Sequence, residues 1–202
     1  MFDLVLGTSN KKKRVELERM LPGHRVRLKT LADFDSPIEV VEDGESFAEN
    51  AAKKACQQAR HLKTWVLAED SGLSVDALKG APGIYSARYA GVEQDDAANL
   101  GKLLVAMDGL AAERRDAHYT SSLCLADPAG DVRLTAEEIC RGRILTARRG
   151  AGGFGYDPIF MLREYHKTFG ELDWIVKQAV SHRSRALRKF LPRFLRMLDR
   201  LG

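Results

Sequence analysis

A mixed α/β fold is predicted, on three observations. Segments with strand-like and helix-like hydrophobic patterns alternate along the chain. No internal repeat and no low-complexity linker interrupts them. The composition, 45% hydrophobic and 30% charged over 202 residues, suits a single domain spanning 1–202 that buries a sizeable core without a metal or disulfide staple.

Taken in order, Phe2 to Gly7 reads as a short buried strand. Asn10 caps a helix to about Leu21, where Leu17, Met20 and Leu21 share a face before Pro22-Gly23 stops it. Ser46-Phe47-Ala48-Glu49 is a capping box, in which the serine accepts from the glutamate's amide and the glutamate returns to the serine amide. It opens a helix through about His61 whose alanines, Ala51, Ala55 and Ala59, allow close packing. Trp65 to Ala68 is the next strand, ending in the polar cluster Glu69-Asp70-Ser71-Gly72, where the glycine lets the backbone turn sharply. Asp95 to Met107 is helical, His118 to Asp127 and Val132 to Leu145 form a hairpin around Pro128-Ala129-Gly130, and Ser181 to Leu201 is an amphipathic helix that Pro192 can kink. Glycine-bearing loops cover 79–85 and 150–158.

Composition excludes several classes. The longest apolar run, Leu103 to Met107, is far short of the ~18 residues that span a bilayer. Met1-Phe2-Asp3 lacks the basic start of a signal peptide, so no membrane association and a cytoplasmic location are expected. Three cysteines without a CxxC pair make neither a disulfide framework nor a zinc ribbon and are expected to be reduced core fillers. The five histidines show no ligand spacing, so a metal here is a hard cation held by carboxylates, with Mg2+ the natural candidate. A net charge of +4 on a mixed surface suits an anionic partner, a phosphorylated small molecule as well as a nucleic acid.

Four groups of residues carry candidate chemistry. Thr8, Ser9, Asn10, Lys11, Lys12 and Lys13 place hydroxyls, amines and free amides at a helix start, which suits phosphate oxygens; the plain alternative is a solvated lysine run behind an Asn cap. No GxxxxGK[ST] loop exists in the chain. Glu42, Glu69 and Asp70, with Lys54 facing them, either flare into water or share a cation, a triphosphate supplying its remaining oxygen ligands. In Gly152 to Asp157 small residues clear room for a flat ligand on which Phe154 and Tyr156 stack, or the aromatics simply plug the core. Lys177 with Ser181, His182 and Arg183 brings donors to a second helix start, where an arginine is awkward without an acceptor nearby.

These residues stand in a recognisable order. Thr8 to Glu16, Glu42 to Ala51, Glu69-Asp70-Ser71-Gly72-Leu73, Gly80 to Tyr89, Gly152 to Pro158 and Ser181-His182-Arg183 together resemble the Ham1-like pyrophosphatases of non-standard purine nucleoside triphosphates, also called inosine triphosphatases. The resemblance runs from residue 2 to about 190. It implies an elongated mixed β-sheet with flanking helices, two lobes with a central cleft, and a homodimer. It implies further that Thr8, Ser9, Asn10, Lys11, Lys12 and Lys13 hold the triphosphate, that Asp70 is the general base, and that Asp70, Glu42 and Glu69 manage magnesium. By the same comparison Ser71 lies in the substrate site, and Phe154, Gly155, Tyr156, Asp157, Lys177, His182 and Arg183 hold the base and adjacent phosphate; Lys54, facing the acids, is expected to bind substrate as well.

The implied reaction is hydrolysis of dITP, ITP, XTP or dXTP between the α and β phosphates, giving the monophosphate and pyrophosphate and so cleansing the nucleotide pool. Magnesium and the lysines offset the charge on the triphosphate while a carboxylate deprotonates water. Specificity is expected at the purine edge, where donors that meet a 6-oxo group would face another donor in adenine. The alternative is a nucleic-acid-binding module using Arg183, Arg185, Arg188, Lys189, Arg193, Arg196 and Arg200 of the last helix. No aromatic platform or base-reading motif accompanies that charge, and no nucleic-acid partner is expected.

Overall fold

The computed structural model describes residues 1–8, 15, 17–19, 26–91 and 95–201. Strand β1 (Phe2–Leu6) pairs in parallel with β2 (Val26–Thr30) and with β3 (Trp65–Val75). The sheet continues through β4 (Asp116–Ala126), β5 (Val132–Ile144), β6 (Phe160–Leu162) and β7 (Lys167–Thr168), in the spatial order β2-β1-β3-β4-β5-β6-β7. Because β5–β6 and β6–β7 are antiparallel, the sheet is mixed, as predicted.

The fold also has helices α1 (Phe47–Leu62), α2 (Asp96–Ala106), α3 (Trp174–Val180) and α4 (His182–Leu201). Ser46 Oγ accepts from the Glu49 amide at 3.2 Å, as the capping box requires. The Glu49 carboxylate, however, accepts from the Glu45 amide at 2.8 Å instead of from Ser46. Asp95 caps α2 by accepting from Ala98 N at 2.9 Å. Pro192 lies within α4, which runs unbroken past it.

Contacts divide the chain into two compact units. The first comprises Met1–Asp70, Ser121–Glu138 and Arg183–Gly202. Its strands bury residues on both faces by simple alternation. Leu4, Leu6, Leu67, Leu123 and Leu125 pack against Leu187, Phe190, Phe194 and Leu198 of α4. Val5, Val66, Ala68, Cys124 and Ala126 pack against Ala51, Ala55 and Ala59 of α1. The small α1 residues let that helix approach the sheet closely, while the aromatic stripe of α4 supplies the bulk on the other side.

The second unit comprises Ser71–Thr120 and Ile139–His182. Its core gathers Leu73, Val75, Leu100, Leu103, Cys140, Ile144 and an aromatic cluster in which Tyr119 meets Phe160 edge-on at 4.7 Å. None of the three cysteines forms a disulfide, as expected; Cys124 and Cys140 are buried and Cys56 is half-buried.

Several expectations are corrected. The strand that was to end at Ala68 runs on to Val75, so Glu69, Asp70, Ser71 and Gly72 are extended residues inside β3 rather than a turn. Polar side chains break a strand only when nothing pairs them, and here neighbouring segments do. Strands β2, β6 and β7 and helix α3 were not predicted; each is short and its apolar pattern is too brief to declare a period. Of the helix expected over residues 10–21, the described Val15, Leu17, Glu18 and Arg19 are helical, and Leu17 is buried. No helix among the described residues is long and apolar enough to cross a membrane.

Candidate active site

The first unit builds a carboxylate–lysine cluster from β3 and α1. Asn50 and Lys54 are one helical turn apart, so α1 presents both on one face. Lys54 Nζ donates to Asp70 Oδ1 at 2.9 Å and to Glu42 Oε2 at 3.0 Å. Asn50 Nδ2 approaches Asp70 Oδ2 at 3.4 Å, and its own Oδ1 accepts from the Gly44 amide at 2.8 Å. Gly44 is needed there, because a Cβ would lie 2.7 Å from that same Oδ1. The side chains of Lys54, Glu42 and Asp70 are 13%, 32% and 9% exposed, so the cluster is largely withdrawn from water. Burial by itself pulls the Lys54 ammonium towards neutrality, but the Asp70 and Glu42 carboxylates outweigh it and hold its pKa above the usual lysine value.

Glu69, next in sequence to Asp70, has different company. Arg183 Nε, at the head of α4, donates to Glu69 Oε1 at 2.9 Å, with side-chain exposures of 2% and 0%. Ser121 Oγ donates to the same oxygen at 2.7 Å. Alternation along β3 puts Leu67 and Glu69 on the α4 side and Val66, Ala68 and Asp70 on the α1 side, so the two adjacent acids serve opposite faces of the sheet.

The second unit builds a glycine loop tied to a lysine. Asp157 Oδ2 accepts from the Phe154 amide at 2.8 Å and from Lys177 Nζ at 2.7 Å. Lys177 in turn stands 4.9 Å from the centre of the Phe154 ring, within cation–π range. Gly153 makes the turn possible: its φ is +74°, and a Cβ would lie 2.1 Å from Asp157 Oδ2. The Gly155 amide donates to Asp96 Oδ2 at 2.9 Å, which pins the loop to the first turn of α2. The His182 ring stacks on Tyr119 at 4.6 Å and 9°. Burial, then the nearby Asp157 carboxylate, push the Tyr119 hydroxyl well above its usual pKa, so it stays neutral.

The structure therefore brings together Glu42, Lys54 and Asp70 in one cluster and Phe154, Gly155, Asp157 and Lys177 in another. Tyr156, expected beside Phe154 as a stacking surface, is 3% exposed, and its hydroxyl donates to the Ser86 carbonyl at 2.9 Å; it plugs the core instead. Ser71 is half-buried on β3, and Thr8 is half-buried just after β1. Ser9, Asn10, Lys11, Lys12 and Lys13 lie outside the described residues. Asn50, Asp96, Tyr119 and Ser121 were missed, and only Asn50 left a signal, its helical spacing from Lys54.

The donor chemistry fits a hard divalent cation. Glu42 and Asp70 already converge on one cationic group, the Lys54 ammonium, and carboxylate oxygens are what magnesium prefers. Among the described residues no group of three or more His, Cys, Asp or Glu is arranged to hold a metal. Two carboxylates suit a magnesium that keeps phosphate and water oxygens for its other positions. On α4, Arg183 is buried while Arg185, Arg188, Lys189, Arg193, Arg196 and Arg200 are exposed; Lys189 pairs with Glu138 at 2.8 Å, and Arg193 donates to the Thr135 carbonyl at 2.7 Å.

The described fold and sequence are similar to those of known proteins. A dITP/XTP pyrophosphatase of Rhodopirellula baltica is 62% identical over 199 residues, covering 98% of this chain and 96% of the relative. A dITP/XTP pyrophosphatase of Desulforamulus reducens is 47% identical over 186 residues, 92% of each chain. The solved structure of the Staphylococcus aureus Ham1 protein superposes with a TM-score of 0.85 at 34% identity, covering 96% of this chain and 98% of that one. The model of the Ham1 family matches residues 4–193, and this chain belongs to the Ham1 family.

Proposed function

We propose that the protein hydrolyses non-standard purine nucleoside triphosphates, dITP and XTP foremost, to the monophosphate and pyrophosphate. The carrying observation is the convergence of Lys54 on Asp70 and Glu42, a buried arrangement that orients one carboxylate and supplies a neutralising charge beside it. The relatives named dITP/XTP pyrophosphatase, similar along nearly the whole chain, support the substrate class.

In this reading Asp70 takes the proton of the attacking water at a carboxylate oxygen. Lys54 and Asn50 hold the two oxygens of that carboxylate, so one geometry is available when water arrives. Glu42 and Asp70 would hold Mg2+, which when bound offsets phosphate charge and polarises the phosphoryl group. The lysines of residues 11–13 belong to the same proposal, as the anion-binding part. In the second unit, the Phe154 ring and the Lys177–Asp157 pair serve the purine and its neighbouring phosphate, with His182 held in one plane by Tyr119. A cytoplasmic site of action and a homodimer are further parts of the proposal, and light scattering on the purified protein reads the second.

Product analysis tests the function. With magnesium and dITP or XTP, pyrophosphate and monophosphate are expected in equal amounts. Orthophosphate as the first product, or no turnover of any purine triphosphate, contradicts it.

A further inference from the structure

Asp96, the first residue of α2, belongs to none of the motifs, yet its carboxylate reaches the glycine loop. Asp96 Oδ2 accepts from the Gly155 amide at 2.9 Å. One residue earlier, Asp157 Oδ2 accepts from the Phe154 amide at 2.8 Å. These two N–H groups belong to the two peptide planes that flank the Phe154 Cα. Holding both planes sets φ and ψ of Phe154 together, and with them the direction in which its side chain leaves the backbone. Asp157 alone would hold one plane and leave the other to turn.

A second anchor matters because little else fixes the chain at this point. Gly155 has φ +60°, and a Cβ there would meet nothing within 4 Å, so packing does not hold it. The anchor itself stands on a firm base. Asp95 supplies the cap of α2 through the Ala98 amide, and Leu100 and Leu103 are buried in the core of the second unit. Asn99, 2% exposed, accepts from the Ala90 amide at 2.6 Å and donates to the Ala87 carbonyl at 3.0 Å, which ties the helix to the segment before it. The ring that is aimed in this way is the one 4.9 Å from Lys177 Nζ, whose own partner is Asp157 at 2.7 Å.

We propose that Asp96 is a positioning residue for purine binding: it holds the Gly155 peptide so that the Phe154 ring presents a fixed face to the base. This rests on the reading that the Phe154 ring serves the purine.

A short series of variants tests it. Asp96→Ala is expected to raise KM for dITP about tenfold while kcat stays within about threefold of the parent protein. Asp96→Asn keeps an acceptor oxygen at the same reach and is expected to bring KM back to within about threefold of the parent value. In a Phe154→Ala background, which raises KM by itself, adding Asp96→Ala should change KM by less than about twofold, because the ring it acts through is gone. Asp96→Ser, whose hydroxyl is one bond shorter than the carboxylate oxygen, carries the series if Asp96→Ala does not fold.

The readout apart from turnover is hydrogen exchange of the Gly155 amide followed by nuclear magnetic resonance. Exchange should be faster in Asp96→Ala and close to the parent rate in Asp96→Asn. Unchanged exchange in Asp96→Ala overturns the proposal, as does an unchanged KM or a fall in kcat with KM intact. Losses that multiply in the double variant, or an Asp96→Asn as impaired as Asp96→Ala, overturn it too. Phe154→Ala alone separates the proposal from the reading beneath it. A parent KM for dITP in that variant removes Phe154 from the purine site, and the proposal with it. A raised KM there, beside a parent KM in Asp96→Ala, removes only Asp96.

Discussion

Lys54 bridges two carboxylates that are far apart in sequence, standing 2.9 Å from Asp70 Oδ1 and 3.0 Å from Glu42 Oε2. Removing its charge takes the shared cation away from buried Asp70 and half-buried Glu42, and with it the donor that orients Asp70. Lys54→Met is expected to lower kcat for dITP by about a hundredfold, the scale of a lost preorganised donor. Steady-state kinetics at saturating magnesium check it, and a rate within about threefold of the parent protein would contradict the assigned role.

Gly153 is the residue that lets Asp157 reach the Phe154 amide. With φ at +74° and a Cβ predicted 2.1 Å from Asp157 Oδ2, Gly153→Ala adds both strain and a clash. About 1–3 kcal/mol of backbone strain is expected to loosen the loop and raise KM for dITP by about tenfold or more. Because Lys54, Glu42 and Asp70 belong to the other unit, Mn2+ binding should be unchanged in the same variant.

Discrimination among purines follows from hydrogen bonding. A site whose buried donors meet a 6-oxo group rejects adenine by about 10⁴ in kcat/KM. Guanine shares that oxygen and differs from hypoxanthine by a 2-amino group, so dGTP is expected to lie between dITP and dATP. Equal kcat/KM values for dITP and dGTP would contradict this order.

Cys124 gives stability a dependence on high pH. Burial first, and then neighbouring Cys56, push its thiol from 9.0 up to about 12. A folded-state pKa above the unfolded one stabilises the protein fully below pH 9.0 and loses that contribution as the pH rises towards about 12. Cys124→Ala is expected to melt lower at neutral pH but to lose less between pH 9 and 11, which thermal melts across that range check. In the native protein at pH 8, alkylating reagents should reach half-buried Cys56 before buried Cys124.

Much of this was legible in advance because some signals are local. The Ser46 cap, the β4–β5 hairpin and the amphipathic face of α4 depend on neighbours a few residues away, and the structure shows all three. Strand β2, with only five residues, has no such local signature, and the extension of β3 through Glu69 and Asp70 was hidden because its polar residues are satisfied by distant partners. Once β3 is known to continue, simple alternation places Glu69 and Asp70 on opposite faces. The candidate site shows the same division: Asp70 and Lys54 were identified from the motif, whereas Ser121 and Tyr119 come from strand interiors that carry no motif of their own.

The most direct test of the central claim is single-turnover hydrolysis of dITP by Asp70→Asn, beside a binding measurement on the same protein. The account expects dITP to bind within about threefold of the parent affinity, while the rate of pyrophosphate release falls by about 10²–10⁴. Turnover near the parent rate with binding intact would show that the water is activated elsewhere, and the assignment of Asp70 as the base would not stand.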